Sequence, residues 1–295
     1  MLEKFGRIYD LRVTTKGGKN IAVTLPFAVD IDITKSTQPT ANCLQLRIYS
    51  LPKTIRDQLR FDISSISDRQ ELALRAGYKS LHKNLNDLPL IFMGSIKYAY
   101  SEKVNNVDWV SIIECYDGGF SISNSRINDS FKRNENYRYC MDKVFAKLEG
   151  VRKGRISKKL ISEDEKILRE QSVKAKVFDY LNENLGNKWF IDNQIVNVLD
   201  DDECLDGVFK VVSPETGLIS TPRRSETFID FDMIFEPRLL LGQLINLRSV
   251  TDPAFNGTYK LITIKHRGTI SDVNASQLIT SCRVFKGTGK LEVVK

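Results

Sequence analysis

The chain has 295 residues, 41% of them hydrophobic and 27% charged, with a net charge of +7. This composition is that of a globular protein with one or two domains, and it excludes a disordered, low-complexity chain. No apolar run is long enough to span a bilayer as a helix, and the N-terminus lacks the basic and apolar segments of a secretory signal. We therefore expect a cytoplasmic origin without membrane insertion, and five scattered cysteines that are free and mostly buried.

The first part of the chain alternates apolar and polar residues, which predicts strands with one face on a core. The predicted strands cover residues 21–27, 29–34, 44–49, 69–78, 88–101 and 107–116. The run Lys16-Gly17-Gly18-Lys19 predicts a hairpin turn before the first of these strands. A short helix is predicted over residues 52–59, since Pro52 suits the first turn of a helix. Asp117-Gly118-Gly119 is predicted to end this β region.

The middle of the chain is predicted to be helical. Apolar residues spaced by three and four predict a helix over residues 137–148, with Gly150 as a candidate C-cap. A second helix is predicted from Ser162, which forms a capping-box pattern with Glu165, to about residue 184, with Gly186 as its stop. The basic run from residue 151 to residue 159 separates the two helices, and we interpret it as a solvated linker, with a DNA-contacting arm as the alternative.

The last third of the chain returns to β patterning. A hairpin is predicted over residues 189–198 around Asp192-Asn193, and Asp200-Asp201-Asp202-Glu203 is predicted to be a turn. Asn256-Gly257 also predicts a turn, because both residues tolerate a positive φ. Further strands are predicted over residues 208–212, 227–235, 243–250, 258–266 and 276–285.

This layout predicts a mainly β fold with inserted helices. The two β-rich halves have a similar predicted architecture, although no strict sequence repeat is visible. We therefore predict two domains of similar type. The boundaries are residues 1–150 for a first β domain with a helix, 151–162 for a basic linker, and 163–295 for a second domain in which a helix precedes the β region.

Few residues suit catalysis or metal binding. The chain has only two histidines, His82 and His266, and no H-E-x-x-H, G-x-S-x-G or Walker-type pattern. The acidic run at residues 200–203 lacks the glycine and glutamate positions of a calcium loop, so a solvated turn is favoured there. Paired carboxylates for glycoside hydrolysis meet only in the fold, so that chemistry stays open at this point. We predict no catalytic, cofactor-binding or metal-binding residues and no cofactor.

Aromatic and basic residues are interleaved at two places, Tyr137-Arg138-Tyr139 and Tyr259-Lys260. Such interleaving can stack nucleic-acid bases. Because Tyr137 also lies on the apolar stripe of its predicted helix, we favour core packing for this tyrosine.

The last third of the sequence resembles the baseplate hub proteins of contractile-tailed bacteriophages. The motifs that carry the resemblance are Val212-Ser213-Pro214-x-Thr216-Gly217-Leu218-Ile219, Thr221-Pro222-Arg223-Arg224, Phe255-Asn256-Gly257-x-Tyr259-Lys260 and His266-x-Gly268.

The first half of the chain agrees with this resemblance. Its motifs are Leu46-Arg47-Ile48-Tyr49-x-Leu51 with Arg56, Arg75-Ala76-Gly77-Tyr78, Ile91-Phe92-x-Gly94-x-Ile96, and Asp108-Trp109 through Asp117-Gly118-Gly119. Each motif is short, and the specificity lies in their order along most of the chain. The basic run at residues 151–159 matches no motif of the family.

The resemblance implies two tail-tube-like β-barrel or sandwich domains in each chain. It also implies a homotrimer, whose six such domains form a pseudo-sixfold ring between the hexameric tail tube and the trimeric central spike. The implied location is the tail baseplate of the virion, after assembly in the host cytoplasm. Other baseplate proteins and the tape-measure protein are the further partners, and DNA is present only in transit through the lumen.

Two other functions stay open at this point. A cell-wall-degrading baseplate enzyme is one, and a DNA-binding tail component is the other, which the net charge and the basic run suggest. Whether the particle is an infectious phage or a headless contractile tail is open as well.

Overall fold

The structure is a computed structural model and describes residues 4–15, 18–61, 70–272 and 277–294. It is mostly β, with mainly antiparallel pairing, which confirms the predicted mainly β class with inserted helices. The strands of the first part are β1 (Arg7–Thr14), β2 (Asn20–Thr24), β3 (Val29–Ser36), β4 (Asn42–Tyr49), β5 (Glu71–Tyr78), β6 (Leu90–Lys103) and β7 (Trp109–Asp117).

The middle part mixes helices and short strands. The α-helices among the described residues are α1 (Lys53–Leu59) in the first part, and α2 (Gly119–Asn124), α3 (Tyr137–Ala146) and α4 (Val177–Leu185) in the middle part. The strands here are β8 (Arg126–Phe131), β9 (Arg152–Ile156), β10 (Gln171–Lys176), β11 (Trp189–Asp192) and β12 (Ile195–Val198). Among the described helices, none is long and apolar enough to cross a membrane.

The last part is again built from strands. They are β13 (Glu203–Cys204), β14 (Val211–Val212), β15 (Arg223–Ser225), β16 (Phe228–Ile234), β17 (Leu244–Leu247), β18 (Gly257–Ile270), β19 (Leu278–Phe285) and β20 (Glu292–Val293).

One large sheet contains strands from both ends of the chain. Its order is β15-β16-β19-β18-β3-β4-β7-β6-β5-β1-β2, with β17 beside β18 and β14 beside β17. The two groups of strands meet where β3 and β18 pair in antiparallel fashion, from Thr263 opposite Ser36 to Ile270 opposite Val29. This pairing makes the two β-rich halves parts of one sheet.

Three apolar cores lie against this framework. The first is enclosed by β1 to β7 and also receives Phe235, Ile270 and Leu278 from the last part of the chain. The second is built by α3, α4 and β8 to β12, around the fully buried Trp189. The third lies under β16 to β19 and includes Phe190 from β11. Because side chains cross between the groups, each core depends on distant parts of the chain.

Most predicted elements of the β regions are confirmed. Strands occur at each predicted position, although the strand predicted at 208–212 is only two residues long. The short helix predicted at 52–59 is α1, and the helix predicted at 137–148 is α3. Of the turn predicted at residues 16–19, Lys16 and Gly17 lie outside the described residues, and the flanking strands β1 and β2 pair as a hairpin.

The predicted helix from Ser162 to residue 184 is wrong over most of its length. Only Val177–Leu185 is helical, and Gly186 ends it with a φ of 59° as predicted. The preceding residues form β10, which pairs with β8. In β10 the half-buried Val173 and Ala175 alternate with exposed polar residues, so the local period is two, and tertiary pairing outweighs the helical spacing of Val173 and Val177.

The basic run at 151–159 is not a solvated linker between two helices. Its first part is β9, which pairs in parallel with β12 of the β11–β12 hairpin. Acidic side chains lie close to its lysines: Lys153 is 2.9 Å from Asp142, and Lys159 is 2.9 Å from Glu292. The run therefore belongs to the fold of the middle part.

Two turns differ from the prediction in detail. The hairpin at 189–198 is confirmed, but its turn is Asn193-Gln194, with φ values of 52° and 59° that fit a two-residue turn of type I′. Asn256-Gly257 is not such a turn. Asn256 has a φ of −68°, and its side chain accepts a hydrogen bond from the Ser249 backbone N–H at 2.6 Å, which closes the longer loop between β17 and β18.

Candidate functional surface

One face of the large sheet is polar and is not covered by a core. On β3 the half-exposed Asp30, Asp32 and Thr34 alternate with buried valine and isoleucine. The registers of β16, β19, β18, β3, β4, β7 and β6 keep the polar positions of neighbouring strands on the same side. We call this side the polar face.

Acidic and basic side chains on the polar face pair across strands. Arg283 on β19 donates two hydrogen bonds to Asp230 on β16, at 2.7 and 2.9 Å. Arg267 on β18 lies 2.8 Å from Asp32 on β3. Because these pairs are exposed, each contributes at most about 1 kcal/mol to folding. Their main effect is to make the face hydrophilic while its opposite charges offset each other.

The part of the polar face on β6 and β7 is organised around Glu114. Its carboxylate accepts hydrogen bonds from the hydroxyls of Tyr98 and Tyr116, the latter at 2.7 Å, and lies 3.4 Å from Lys97. Burial opposes its ionisation, but the two hydroxyl groups and the lysine charge outweigh burial and lower the pKa of Glu114 below its ordinary value. This position is therefore negatively charged at neutral pH.

The strands that build this face occur twice, in the same order. The first set is β5-β6-β7-β4-β3 and the second is β17-β18-β19-β16-β15. In both sets the long strand carries a bulge at the same place, between Ile96 and Tyr98 on β6 and between Leu261 and Thr263 on β18. Ile96 lies opposite Cys115, as Leu261 lies opposite Val284. When residues are counted from the two bulges, each residue of the first set of strands therefore has a counterpart in the second set.

Side-chain contacts agree with this match. His266 on β18 bonds to Thr280 on β19 at 2.9 Å, and the matching pair on β6 and β7 is Ser101 with Ser111 at 2.8 Å. The same count matches Arg267 to Glu102 on the long strands, and Asp32 on β3 to Arg223 on β15. The chain thus contains a structural repeat of five strands.

A buried polar cluster lies beneath the point where the two sets join. Lys35 on β3 is 2.6 Å from Asp192 at the tip of the β11–β12 hairpin. Asp117, at the end of β7, accepts hydrogen bonds from the backbone N–H groups of Asn193 and Gln194 at 2.6 and 2.8 Å. Burial, and then the nearby carboxylate of Asp192, raise the pKa of Asp117 to about 7. The cluster fixes the hairpin of the middle part to the large sheet.

A second buried contact joins the first and last parts of the chain. Glu236 is fully buried and accepts two hydrogen bonds from Arg238, at 2.7 and 2.9 Å. Lys4 lies 3.0 Å from the same carboxylate, and Tyr78 donates a hydrogen bond to the Phe235 carbonyl at 2.8 Å. This charge is therefore paired, as a buried carboxylate must be.

The residues considered for chemistry have structural partners. Asp200 pairs with Lys188 at 2.5 Å, and Asp202 accepts backbone hydrogen bonds from Thr288 and Gly289, so the acidic run forms a turn. The described ranges contain no group of three or more His, Cys, Asp or Glu residues that could hold a metal ion. His266 is buried, and burial lowers its pKa to about 3, which keeps the ring neutral in its contact with Thr280.

The aromatic and basic pairs also face inward or pair locally. Tyr137 packs on the second core, and Tyr139 is exposed with the Lys143 ammonium 4.4 Å from its ring. Tyr259 is buried and bonds to the Phe255 carbonyl, and Lys260 is buried and bonds to the Asp200 carbonyl at 2.6 Å. None of these residues lies on the polar face as a stacking platform.

The polar face and the repeat were not predicted residue by residue from the sequence. The available signal was the alternation of acids with apolar residues in two strands, Asp30 and Asp32 in β3 and Asp230 and Asp232 in β16. That signal shows an exposed strand face. It does not show which arginines lie opposite.

Comparisons with known proteins agree on one class. A family model described as baseplate hub gp41 matches residues 11–274. No curated protein matches the chain by sequence. The 43 kDa tail protein of prophage MuSo2 from Shewanella oneidensis is similar in structure, with a TM-score of 0.59 and 10% identity over 93% of this chain and 96% of that one.

Two other solved structures have the same fold. A tail protein from Neisseria meningitidis MC58 gives a TM-score of 0.56 and 12% identity, over 96% of this chain and 97% of that one. A type VI secretion component of E. coli, described as similar to the T4 bacteriophage tail proteins gp27 and gp5, gives a TM-score of 0.54 and 9% identity, over 95% of this chain and 80% of that one. At these identities the likeness concerns the fold.

Proposed function

The chain belongs to the baseplate hub gp41 family, and from that membership we propose that it is the hub of a contractile phage tail. In this proposal three copies form a ring that joins the hexameric tail tube to the trimeric central spike. As a baseplate protein of a phage tail the chain is a structural component of the virion. Its assembly in the host cytoplasm, with other baseplate and tape-measure proteins, is part of the proposal.

The observation that carries the proposal is the five-strand repeat within one sheet. Each chain presents two similar units side by side, joined by the β3–β18 pairing. Three chains therefore supply six similar units, and six units match the symmetry of a hexameric tube on one side of the ring. The ring as a whole has threefold symmetry, which matches a trimeric spike on the other side. The predicted division into two tube-like domains is part of this proposal and is supported by the repeat.

The polar face supports a role as channel lining. It is continuous across both sets of strands, is hydrophilic, and pairs Asp230 with Arg283 and Asp32 with Arg267. A lining with offset charges lets DNA pass without tight binding, since binding to DNA depends on unpaired cationic groups that replace counterions. The acidic partners of Lys153 and Lys159 likewise favour a structural role over a DNA-binding arm.

A structural role also agrees with the family and with the partners found for the acidic run and for His266. We therefore propose that the chain acts by assembly and not by catalysis. Incubation of the purified protein with peptidoglycan tests this point. Turnover that disappears on replacement of one carboxylate would overturn it.

The oligomeric state tests the ring. Size-exclusion chromatography with light scattering is expected to give three times the chain mass of 33.7 kDa at high protein concentration. A cryo-EM reconstruction of assembled tail tips is expected to show three copies between tube and spike. A strict monomer in solution together with no threefold ring of this chain in assembled tails would refute the proposal.

A further inference from the structure

The pairing of β3 with β18 shows how two of the repeated sets of strands can join edge to edge. The corresponding edges at the two outer ends of the sets have no such partner among the described residues. The second half of β18, beyond its bulge, pairs with β3. The matching half of β6 runs from Tyr98 to Lys103, and its pairing with β5 has ended at Ser95. Among the described residues only Phe61 contacts this edge as a partner, by a single bridge at Ala99. The part of β6 from Tyr100 to Lys103 therefore pairs with β7 on one side, and its other edge has no strand beside it among the described residues.

The match to β3 is β15, the strand at the other end of the large sheet. Arg223 to Ser225 pair with β16 on one side. The other side of β15 carries no strand of the described residues. Side chains 223–227 are all exposed. An open strand edge readily accepts another strand.

We propose that these two edges pair between neighbouring copies, β6 of one chain with β15 of the next. The inference rests on the proposed ring. The register follows from the internal junction, in which Arg267 lies opposite Asp32. Since Arg267 matches Glu102 and Asp32 matches Arg223, Glu102 of one copy lies opposite Arg223 of the next. The neighbouring positions place Ser101 opposite Arg224 and Tyr100 opposite Ser225.

The charges at this seam are complementary. The internal junction holds Arg267 and Asp32 together at 2.8 Å. The proposed seam has the same pair with its signs exchanged, an acid on the long strand and an arginine on the short one. Glu102 and Arg223 are both exposed, and neither has a salt-bridge partner within the described chain. Opposite charges directly across a sheet favour this register over its neighbours.

A basic cleft next to the seam supports the same arrangement. The cleft, of about 540 Å³, is lined by Tyr100 and Ser101 on β6, by Trp109 and by α1 and the residue after it. The charged residues that line the cleft are Lys53, Arg56, Asp57 and Arg60, so three basic residues outnumber one acid. Glu226 follows β15 and is exposed, so pairing of the edges brings an acid to this cleft. A ring needs such a heterologous contact, in which two different edges of identical chains meet.

Disulfide crosslinking tests the register. Directly opposed residues of antiparallel strands have Cα atoms about 4.5 to 5.5 Å apart, which lies within the range for a disulfide. The double variant Glu102→Cys with Arg223→Cys is expected to give covalent trimers on mild oxidation. The matched control is Glu102→Cys with Arg224→Cys, in which the second side chain is on the opposite face of the strand. That control and each single variant are expected to stay monomeric under denaturing conditions.

Charge reversal provides a second, independent readout. Glu102→Arg or Arg223→Glu alone places like charges across the seam and is expected to weaken association roughly threefold to tenfold per seam. The double exchange, Glu102→Arg with Arg223→Glu, is expected to restore it. Because both positions are exposed, the thermal unfolding of the isolated chain is expected to be unchanged.

The crosslinking and charge-exchange results distinguish a wrong seam from the absence of a ring. If the wild-type chain forms trimers but the Glu102–Arg223 cysteine pair does not crosslink and the charge exchange does not restore association, the seam is refuted and the ring remains. If the chain is monomeric alone, the same crosslink is read in assembled tails, where its presence supports the seam and its absence refutes it. Absence of any ring of this chain in tails refutes the proposed function itself.

Discussion

Asp117 is the residue on which the middle part of the chain depends for its position. It is fully buried at the end of β7, and both of its oxygens accept backbone N–H groups of the Asn193-Gln194 turn. Two effects oppose each other here. The hydrogen bonds and Lys35 favour the carboxylate, while burial and the neighbouring Asp192 favour the neutral acid and raise the pKa to about 7. Burial is the larger effect, because the carboxyl group is fully buried between β7 and the β11–β12 turn.

The raised pKa predicts a specific dependence of stability on pH. In the unfolded chain an aspartate has a pKa of about 3.9, so folding at Asp117 takes up a proton between about pH 4 and pH 7. Its contribution to the free energy of unfolding is fully present below that unfolded value and is lost as the pH rises through about 7. We therefore expect the stability advantage of the wild type over Asp117→Asn to shrink between about pH 4 and pH 7.

Urea titrations of both proteins at several pH values measure this difference. Asp272→Asn, which removes a carboxylate at an exposed position, is the matched control. An advantage of the wild type over Asp117→Asn that is constant across the range would show that Asp117 titrates normally.

At the scale of elements, the sequence predicted strands well and their repetition poorly. Alternation alone located β3, β4 and β16, because each buries every second side chain. Where matched positions of the repeat are alike, they share polarity and not residue type. Leu46 on β4 matches Phe231 on β16, and Ser111 on β7 matches Thr280 on β19. A sequence comparison of the two halves therefore detects little of the repeat, whereas the positions of the bulges and the registers of the strands show it directly.

Side-chain contacts between strands that are far apart in sequence could not be predicted, because they depend on which strands pair. Arg267 and Asp32 are 235 positions apart and meet only because β18 pairs with β3. The helix predicted from Ser162 failed in the same way, since pairing with β8 turns residues 171–176 into a strand. Local pattern fixes which face of a strand is polar, and the pairing of strands decides what lies opposite.

A substitution at Gly94 tests how closely the backbones of β6 and β7 pack. It lies in β6 next to the bulge, and a Cβ at this position would be 2.7 Å from the Tyr116 carbonyl oxygen of β7. The matching residue on β18 is Tyr259, so the second set has room where the first has none. Gly94→Ala is expected to lower the free energy of unfolding by about 1 to 3 kcal/mol, because the two backbones must move apart.

Urea denaturation provides the measurement, with Gln45→Ala on the exposed side of β4 as the control, for which a change within about 0.5 kcal/mol is expected. Equal stabilities for Gly94→Ala and the wild type would mean that β6 and β7 are less closely packed than the structure has them.

For the whole molecule, the repeat does not divide the chain into two independent cores. The core within β1 to β7 takes Phe235, Ile270 and Leu278 from the last part of the chain. The core of the middle part uses residues on both sides of positions 151–162, among them Met141 and Trp189. The two proposed domains are thus similar in architecture and dependent on each other for burial. The proposed ring, which would have to keep six units in fixed positions, would gain rigidity from this dependence.

This dependence predicts the behaviour of fragments. A fragment of residues 1–150 loses β18 beside β3, the three side chains that complete its core, and half of the middle core. It is expected to lack cooperative unfolding and to expose apolar surface, whereas the intact chain unfolds in one main calorimetric transition.

Co-expression of residues 1–150 with residues 151–295 is expected to restore a soluble complex with that transition, because each fragment supplies what the other lacks. Scanning calorimetry and dye binding to apolar surface measure both effects. If fragment 1–150 unfolds cooperatively near the unfolding temperature of the intact chain, the first β domain folds without the rest of the chain. The large sheet would then join two domains that fold independently.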